Sequence, residues 1–270
     1  MIGRHWIRFV LCSMVLLIST AAQGQIYELV GKIENPKGLP AGSGDNFGLS
    51  MAVVGDNLLV GAQWEDTGAK NAGSAYLFDR QGNLLTTFRN PEPVENGEFG
   101  SIAVAMGENI LIGASLNQIG GSASGAAYLF DQTGILLRSF KNPNPGERDR
   151  FGEALAVVGE NLWISAFSDD TGGLNSGRIY VYDNNGTLSK TIVNPLPGEG
   201  ENFGLVMDTD DGRVLVGNLG RFNNINGGTA HLYDSEGNLL QTFFNPSVDD
   251  GNFFGRGVAL INDKILVAAN

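Results

Sequence analysis

The chain has 270 residues, 42% of them hydrophobic, with 29 acidic against 17 basic side chains and a formal net charge of −12. That balance excludes a duplex nucleic-acid partner, because phosphate binding needs clustered positive charge, while it favours solubility and leaves cation binding open. One cysteine (Cys12) and two histidines (His5, His231) exclude a disulfide framework, thiol chemistry and a zinc cluster.

The N-terminus reads as a leader over residues 1–24. Arg4, His5 and Arg8 give a positive start, Phe9 to Ile18 is a short apolar run, and Ala22 and Gly24 suit the small-residue positions of a signal-peptidase site. An apolar run of about ten residues is too short for a bilayer span, which needs roughly 20. Cleavage would leave Gln25 as the first residue and remove Cys12. The expectation is a secreted, extracellular or envelope protein with no membrane span in its mature chain.

A repeat fills the remainder. Phe-Gly recurs at Phe47-Gly48, Phe99-Gly100, Phe151-Gly152, Phe203-Gly204 and Phe254-Gly255, with spacings of 52, 52, 52 and 51. The domain at 25–270 thus divides into units 47–98, 99–150, 151–202 and 203–253 and a partial unit 254–270, preceded by an orphan strand at 28–36. In the first unit the pattern predicts strand a at 49–54, b at 58–62, c at 75–78 and d at 84–88. Gly55-Asp56 and its counterparts make the a–b hairpin, where positive φ is demanded. Asp79 to Gly82 and its counterparts make the c–d turn. Asn90-Pro91 and its counterparts end strand d, since proline cannot continue the ladder.

Strand b decides the architecture. Its aligned columns are Leu58/Ile110/Leu162/Val214/Ile265, Leu59/Leu111/Trp163/Leu215/Leu266 and Val60/Ile112/Ile164/Val216/Val267. Adjacent positions are all apolar, so both faces of this strand are expected to be buried. A small sheet covered on both faces by copies of itself is a propeller blade. Strand c adds Tyr76/Tyr128/Tyr180/His231 and Phe78/Phe130/Tyr182/Tyr233 to fill the space between blades, and the Phe-Gly phenylalanines are expected to wedge there. The fold expected is all-β, a β-propeller of four-stranded antiparallel blades, incomplete or truncated.

At these residues the chain resembles the FG-GAP repeat family, whose repeats build the integrin α-subunit propeller and occur in many secreted bacterial proteins. The Gly-Ala-Pro half of the signature reads Gly61-Ala62-Gln63, Gly113-Ala114-Ser115, Ser165-Ala166-Phe167, Gly217-Asn218-Leu219 and Ala268-Ala269-Asn270; its proline is missing throughout, which marks a divergent branch. The resemblance implies an interaction or adhesion role. Many members carry an Asp-rich calcium loop between strands a and b. Here that connection is a two-residue hairpin, too short to wrap an ion that takes six to eight oxygens. Asp208 and Asp210 resemble such a loop but align with strand positions. Asp66 and Asp170 in the b–c loops are the other candidate calcium ligands, and an Asx-type turn explains them as well.

Glu28 to Pro36 resembles strand d of the other units, and the chain stops after strand b of the fifth. Joining the ends gives four blades and a fifth made of a, b and d, without c. Truncation of a longer propeller, which at seven blades needs on the order of 360 residues, is the reading favoured over a compact five-bladed form.

No catalytic or cofactor-binding constellation stands out. A Ser-His-Asp or Cys-His site cannot be assembled around His231 alone, no phosphate loop is present, and the pairs Glu65-Asp66, Asp169-Asp170 and Asp249-Asp250 lie in predicted loops. Asn185-Gly186-Thr187 is a glycosylation sequon on a c–d turn. The function expected is a non-catalytic module binding an unidentified protein or glycan through the b–c loops, residues 63–73, 115–125, 167–177 and 218–228, which vary most between units. The alternatives are a polysaccharide lyase or glycosidase with acids around the central channel, and a calcium-dependent structural repeat.

Overall fold

A computed structural model describes residues 13–17, 29–37, 44–220, 227–246, 253–262 and 264–269. The remaining leader residues, Phe222, Asp249, Asp250 and Asp263 lie outside them. β1 (Ser13–Leu17) pairs with β2 (Leu29–Glu34). Four sheets of four strands follow in meander order. The first is β3 (Phe47–Val54), β4 (Asn57–Ala62), β5 (Ser74–Phe78) and β6 (Leu84–Arg89). The second is β7 (Ala103–Met106), β8 (Asn109–Ala114), β9 (Ala126–Phe130) and β10 (Leu136–Lys141). The third is β11 (Phe151–Val158), β12 (Asn161–Ala166), β13 (Arg178–Tyr182) and β14 (Leu188–Val193). The fourth is β15 (Val206–Asp210), β16 (Arg213–Asn218), β17 (Thr229–Tyr233) and β18 (Leu239–Phe244). A two-stranded sheet, β19 (Gly257–Ile261) and β20 (Lys264–Ala268), comes last. The described residues are all-β, without a helix.

Local chemistry sets this order. Gly55, Gly107 and Gly159 open their a–b hairpins at φ 59°, 56° and 59°, the type II′ pattern that matches strand twist. The fourth blade reaches the same end with Asp211 and Gly212, both at positive φ, the type I′ pattern. In the c–d turn, Asp79 Oδ1 accepts the N–H groups of Gln81 and Asn83, and Asp131 Oδ1 those of Thr133 and Ile135. Every full blade has the same bulge where c meets d, so Leu85, Leu137, Ser189 and Leu240 are left out of the pairing.

The two-residue side-chain period sends alternate residues of each sheet into different cores. Ile110 and Ile112 of β8 join Phe99, Tyr128 and Phe130 against Leu59, Leu77 and Phe88 of the blade before. Leu111, between them, joins Leu129 and Phe140 against Phe151, Ile164 and Tyr180 of the blade after. The arrangement continues into the fourth blade. Strand a of each blade approaches strand a of the next, β3 with β7, β7 with β11, β11 with β15 and β15 with β19. The a strands are therefore innermost, as in blades fanned about an axis.

Close stacking depends on glycine at the blade seam. A Cβ on Gly61, Gly113 or Gly217 would lie 2.0, 2.1 or 2.1 Å from the carbonyl oxygen of the following blade's Phe-Gly glycine. One on Gly73, Gly125, Gly177 or Gly228 would lie 2.0, 2.1, 2.3 or 1.9 Å from that of its phenylalanine. The Phe-Gly backbone rests on two glycine columns, while its ring packs on strand c of its own blade, as Phe99 does on Tyr128 and Phe130.

One expectation needs correction. Strand b is buried on both faces in the four full blades but not in the fifth, where Leu266 is 54% exposed against 0% for Leu59, Leu111, Trp163 and Leu215. Among the described residues no further sheet covers that side of β20. Among the described residues the orphan strand d and the last sheet are not paired with each other: β2 pairs with β1, and β19–β20 stands as a separate sheet. Ile33 of β2 packs on Phe47, Val60, Tyr76 and Phe78, the position Phe88 holds against the second blade.

Candidate functional site: the loop face and its axial mouth

Strand a begins where strand b ends, so the Phe-Gly junctions and the b–c loops share one face of the blade array. These loops are tied down from within. Asp66 Oδ1 accepts the Asn71 N–H and Asp170 Oδ1 the Asn175 N–H, each at 2.8 Å. The two exposed candidate calcium ligands thus each hold a backbone turn. Asp208 and Asp210 lie on β15, and Asp208 Oδ2 accepts the Leu260 N–H of the next blade at 2.7 Å. Among the described residues no three His, Cys, Asp or Glu side chains converge as a metal site. No helix among them is long and apolar enough to cross a membrane.

The neighbours of Asp66 and Asp170 are the loop residues that sequence reasoning undervalued. Glu65 and Asp169 are each 1% exposed, and Asn117, at the same repeat position, is 0% exposed. Burial raises the Glu65 pKa, but hydrogen bonds from Lys37, Ser74 and Thr67 outweigh it and leave the carboxyl below its ordinary range. Tyr180 Oη donates to Asp169 Oδ2 at 3.2 Å; burial, then the Asp169 charge, pushes that phenol up to about 12. Asn117 donates to Tyr128 Oη and to the Glu92 carbonyl.

The last contact belongs to a recurring latch. The residue after three of the Asn-Pro pairs reaches the b–c loop of the following blade: Lys37 meets Glu65 and Thr67, Glu92 meets Asn117, and Asn144 meets Thr171. The asparagines cap their own turns, Asn90, Asn142 and Asn194 each accepting an N–H two residues on. Asn142 also donates to buried Asp149, whose pKa burial raises although the Gly146 N–H lowers it. A cleft of about 410 Å³ lies beside the fourth blade's loop, against Pro195, Pro197, Gly228 and Phe244.

At the axis the same face carries a contiguous polar and aromatic cluster. Trp64, 39% exposed, donates its indole N–H to Glu98 Oε1 at 3.2 Å. Burial raises the Glu98 pKa; the Trp64 hydrogen bond and Arg150 lower it, and Glu153 raises it further. Arg150 lies 3.8 Å from Glu153 and 5.7 Å from the Phe167 ring centroid. Three blades contribute, because Glu98 and Arg150 immediately precede Phe-Gly junctions. That column needs left-handed backbone, with φ 53° at Asn46, 54° at Glu98, 55° at Arg150 and 53° at Asn202. Asparagine tolerates the conformation, whereas a non-glycine, non-Asx residue there costs on the order of 1 kcal/mol. The junctions into blades two and three place charged residues, Glu98 and Arg150, where the backbone favours asparagine. That departure within an aligned column is the sequence signal that could have found the cluster.

The FG-GAP repeat model matches two segments, residues 41–78 and 143–182. No curated protein matches the chain. Among solved structures, the Neurospora crassa Pan2 WD40 domain aligns at 11% identity and a TM-score of 0.46, over 73% of this chain and 49% of that one. The chain therefore spans about half the length of that domain.

Proposed function

We propose that this chain, which carries FG-GAP repeats on stacked four-stranded blades, is an exported, non-catalytic interaction module that binds a protein or glycan through its loop face. The observation that carries this reading is the contrast between the two faces. On one, the a–b connections are two-residue hairpins in the four full blades and the c–d turns repeat the same Asp-x-x-Gly chemistry. On the other, a rigid seam of glycines and latches presents b–c loops of differing sequence, the arrangement expected where loops bind and the scaffold positions them. Export rests on the leader reading of residues 1–24, and the destination is the extracellular space or the cell envelope. An adhesion-type role follows from the resemblance of the repeats to those of the integrin α-subunit.

The experiment is a binding screen with the full-length protein: a glycan array, and capture of surface or extracellular proteins confirmed with each purified partner. A reproducible ligand competed by substitutions in loops 63–73 or 167–177 is expected. Absence of any ligand in both formats counts against the module, and turnover of a polysaccharide would replace it with an enzyme. N-terminal sequencing of protein recovered outside the cell should begin at Gln25.

A further inference from the structure

We propose that the axial mouth of the loop face, formed by Trp64, Glu98, Arg150, Glu153 and Phe167, binds a neutral carbohydrate. The inference rests on the interaction-module reading and names its ligand class. The Trp64 indole N–H is engaged by Glu98, which fixes the ring, while the residue remains 39% exposed. An exposed indole on an otherwise paired framework is an amphipathic anchor rather than a core residue. Beside it lie two carboxylates, which accept hydrogen bonds, and one guanidinium, which donates them in a planar fork. Arg150 is itself held between Glu153 and the Phe167 ring, so its donors are preorganised.

A flat apolar face bordered by fixed acceptors and donors matches a pyranose, which presents C–H groups on one face and hydroxyls around its edge. Two features disfavour other occupants. β4 lies between β3 and β5, so it presents no free strand edge at which a peptide could add. Two carboxylates against one guanidinium, on a chain of net charge −12, repel uronates and sulfated sugars.

The test titrates the full-length protein with cellohexaose, laminarihexaose and chitohexaose, with trigalacturonate as the anionic control. Tryptophan fluorescence and calorimetry read the binding. Trp163 is fully buried, so an added spectral change that disappears in Trp64→Phe reports on Trp64. The expected result is at least one neutral hexasaccharide bound with a Kd below about 1 mM. Trp64→Ala should weaken it at least about tenfold and Trp64→Phe less than about threefold, with unchanged thermal midpoints. Equal binding by Trp64→Ala overturns the site but leaves the module reading standing. A purified protein ligand bound by a chain that binds no neutral sugar overturns the ligand class alone. Tighter binding of trigalacturonate overturns the charge argument and the proposal with it. If neither the sugars nor any protein bind, both readings fail together.

Discussion

At the scale of single residues, the blade seam and the strand c column carry sharp consequences. Gly125 has φ +88°, and a Cβ there would stand 2.1 Å from the Phe151 carbonyl oxygen. Gly125→Ala combines left-handed strain with a backbone collision, so it should destabilise the protein by about 2–4 kcal/mol. Gly55 has φ +59° and nothing within 4 Å of its absent Cβ, so Gly55→Ala carries the backbone penalty alone, about 1 kcal/mol. Paired denaturant melts measure the difference; equal losses would show that the seam relaxes. His231 is the second case. It is fully buried, hydrogen-bonded to Thr229 and Thr242 at 2.9 and 3.0 Å, and packed edge-on against Phe203. Burial lowers its pKa from 6.5 to about 4. The unfolded chain therefore binds the proton first as pH falls, and stability drops between pH 6.5 and 4 by up to about 3 kcal/mol. The buried carboxyls of Asp45 and Asp149 have raised values and act in the opposite sense, gaining stability as they protonate. The His231 contribution is isolated by subtraction: His231→Gln should flatten the wild-type slope in that window, and an unaltered slope would falsify the assignment.

At the scale of elements, strand d shows how little of a strand can hold it to the core. β10 buries only Phe140, at 3% exposure, while Leu136 and Leu137 are 41% and 47% exposed. Phe140 packs on Leu111 and Leu129 of its own sheet, and against Tyr182 of the next at 4.9 Å between ring centroids. Phe140→Ala should cost about 3–5 kcal/mol, whereas Leu137→Ala, outside the pairing at the bulge, should stay within about 0.5 kcal/mol. At two-state midpoints the first corresponds to a Tm loss of very roughly 10 °C; a comparable loss from Leu137→Ala would mean the outer edge is covered. The same elements show what the sequence made legible. Adjacent apolar columns such as Ile110, Leu111 and Ile112 can be read as a doubly covered strand because the side-chain period is two and no solvent face remains. The turns were legible because Gly55 and Asp79 act on neighbours within four residues. Glu65 was not, since its partners Lys37, Thr67 and Ser74 include one from an earlier connector whose approach depends on how two sheets stack. Trp64 and Glu98 meet across 34 residues for the same reason, because Glu98 closes its repeat at the junction into the next sheet.

At the scale of the blade array, the described sheets differ in how far they are covered, and repeat architectures propagate such differences into local stability. Blades two and three are covered on both faces: Ile110, Leu111 and Ile112 of β8, and Trp163 and Ile164 of β12, are fully buried. β20 alternates exposed and half-buried residues, with Leu266 open on one side and Ile265 and Val267 leaning on the fourth blade. Nearest-neighbour coupling then predicts that β19 and β20 open without disturbing β8 or β12, because only one interface must break. In native-state hydrogen exchange of the full chain, β20 amides should be protected at least about a hundredfold less than those of β8 and β12. Adding denaturant should raise exchange in the middle blades toward the global limit while hardly changing that of β20, since local opening exposes little surface. Uniform protection would mean that the outer side of β20 is covered in solution. An added dependence of β20 protection on protein concentration would locate that cover in a second molecule, through the apolar face that contains Leu266.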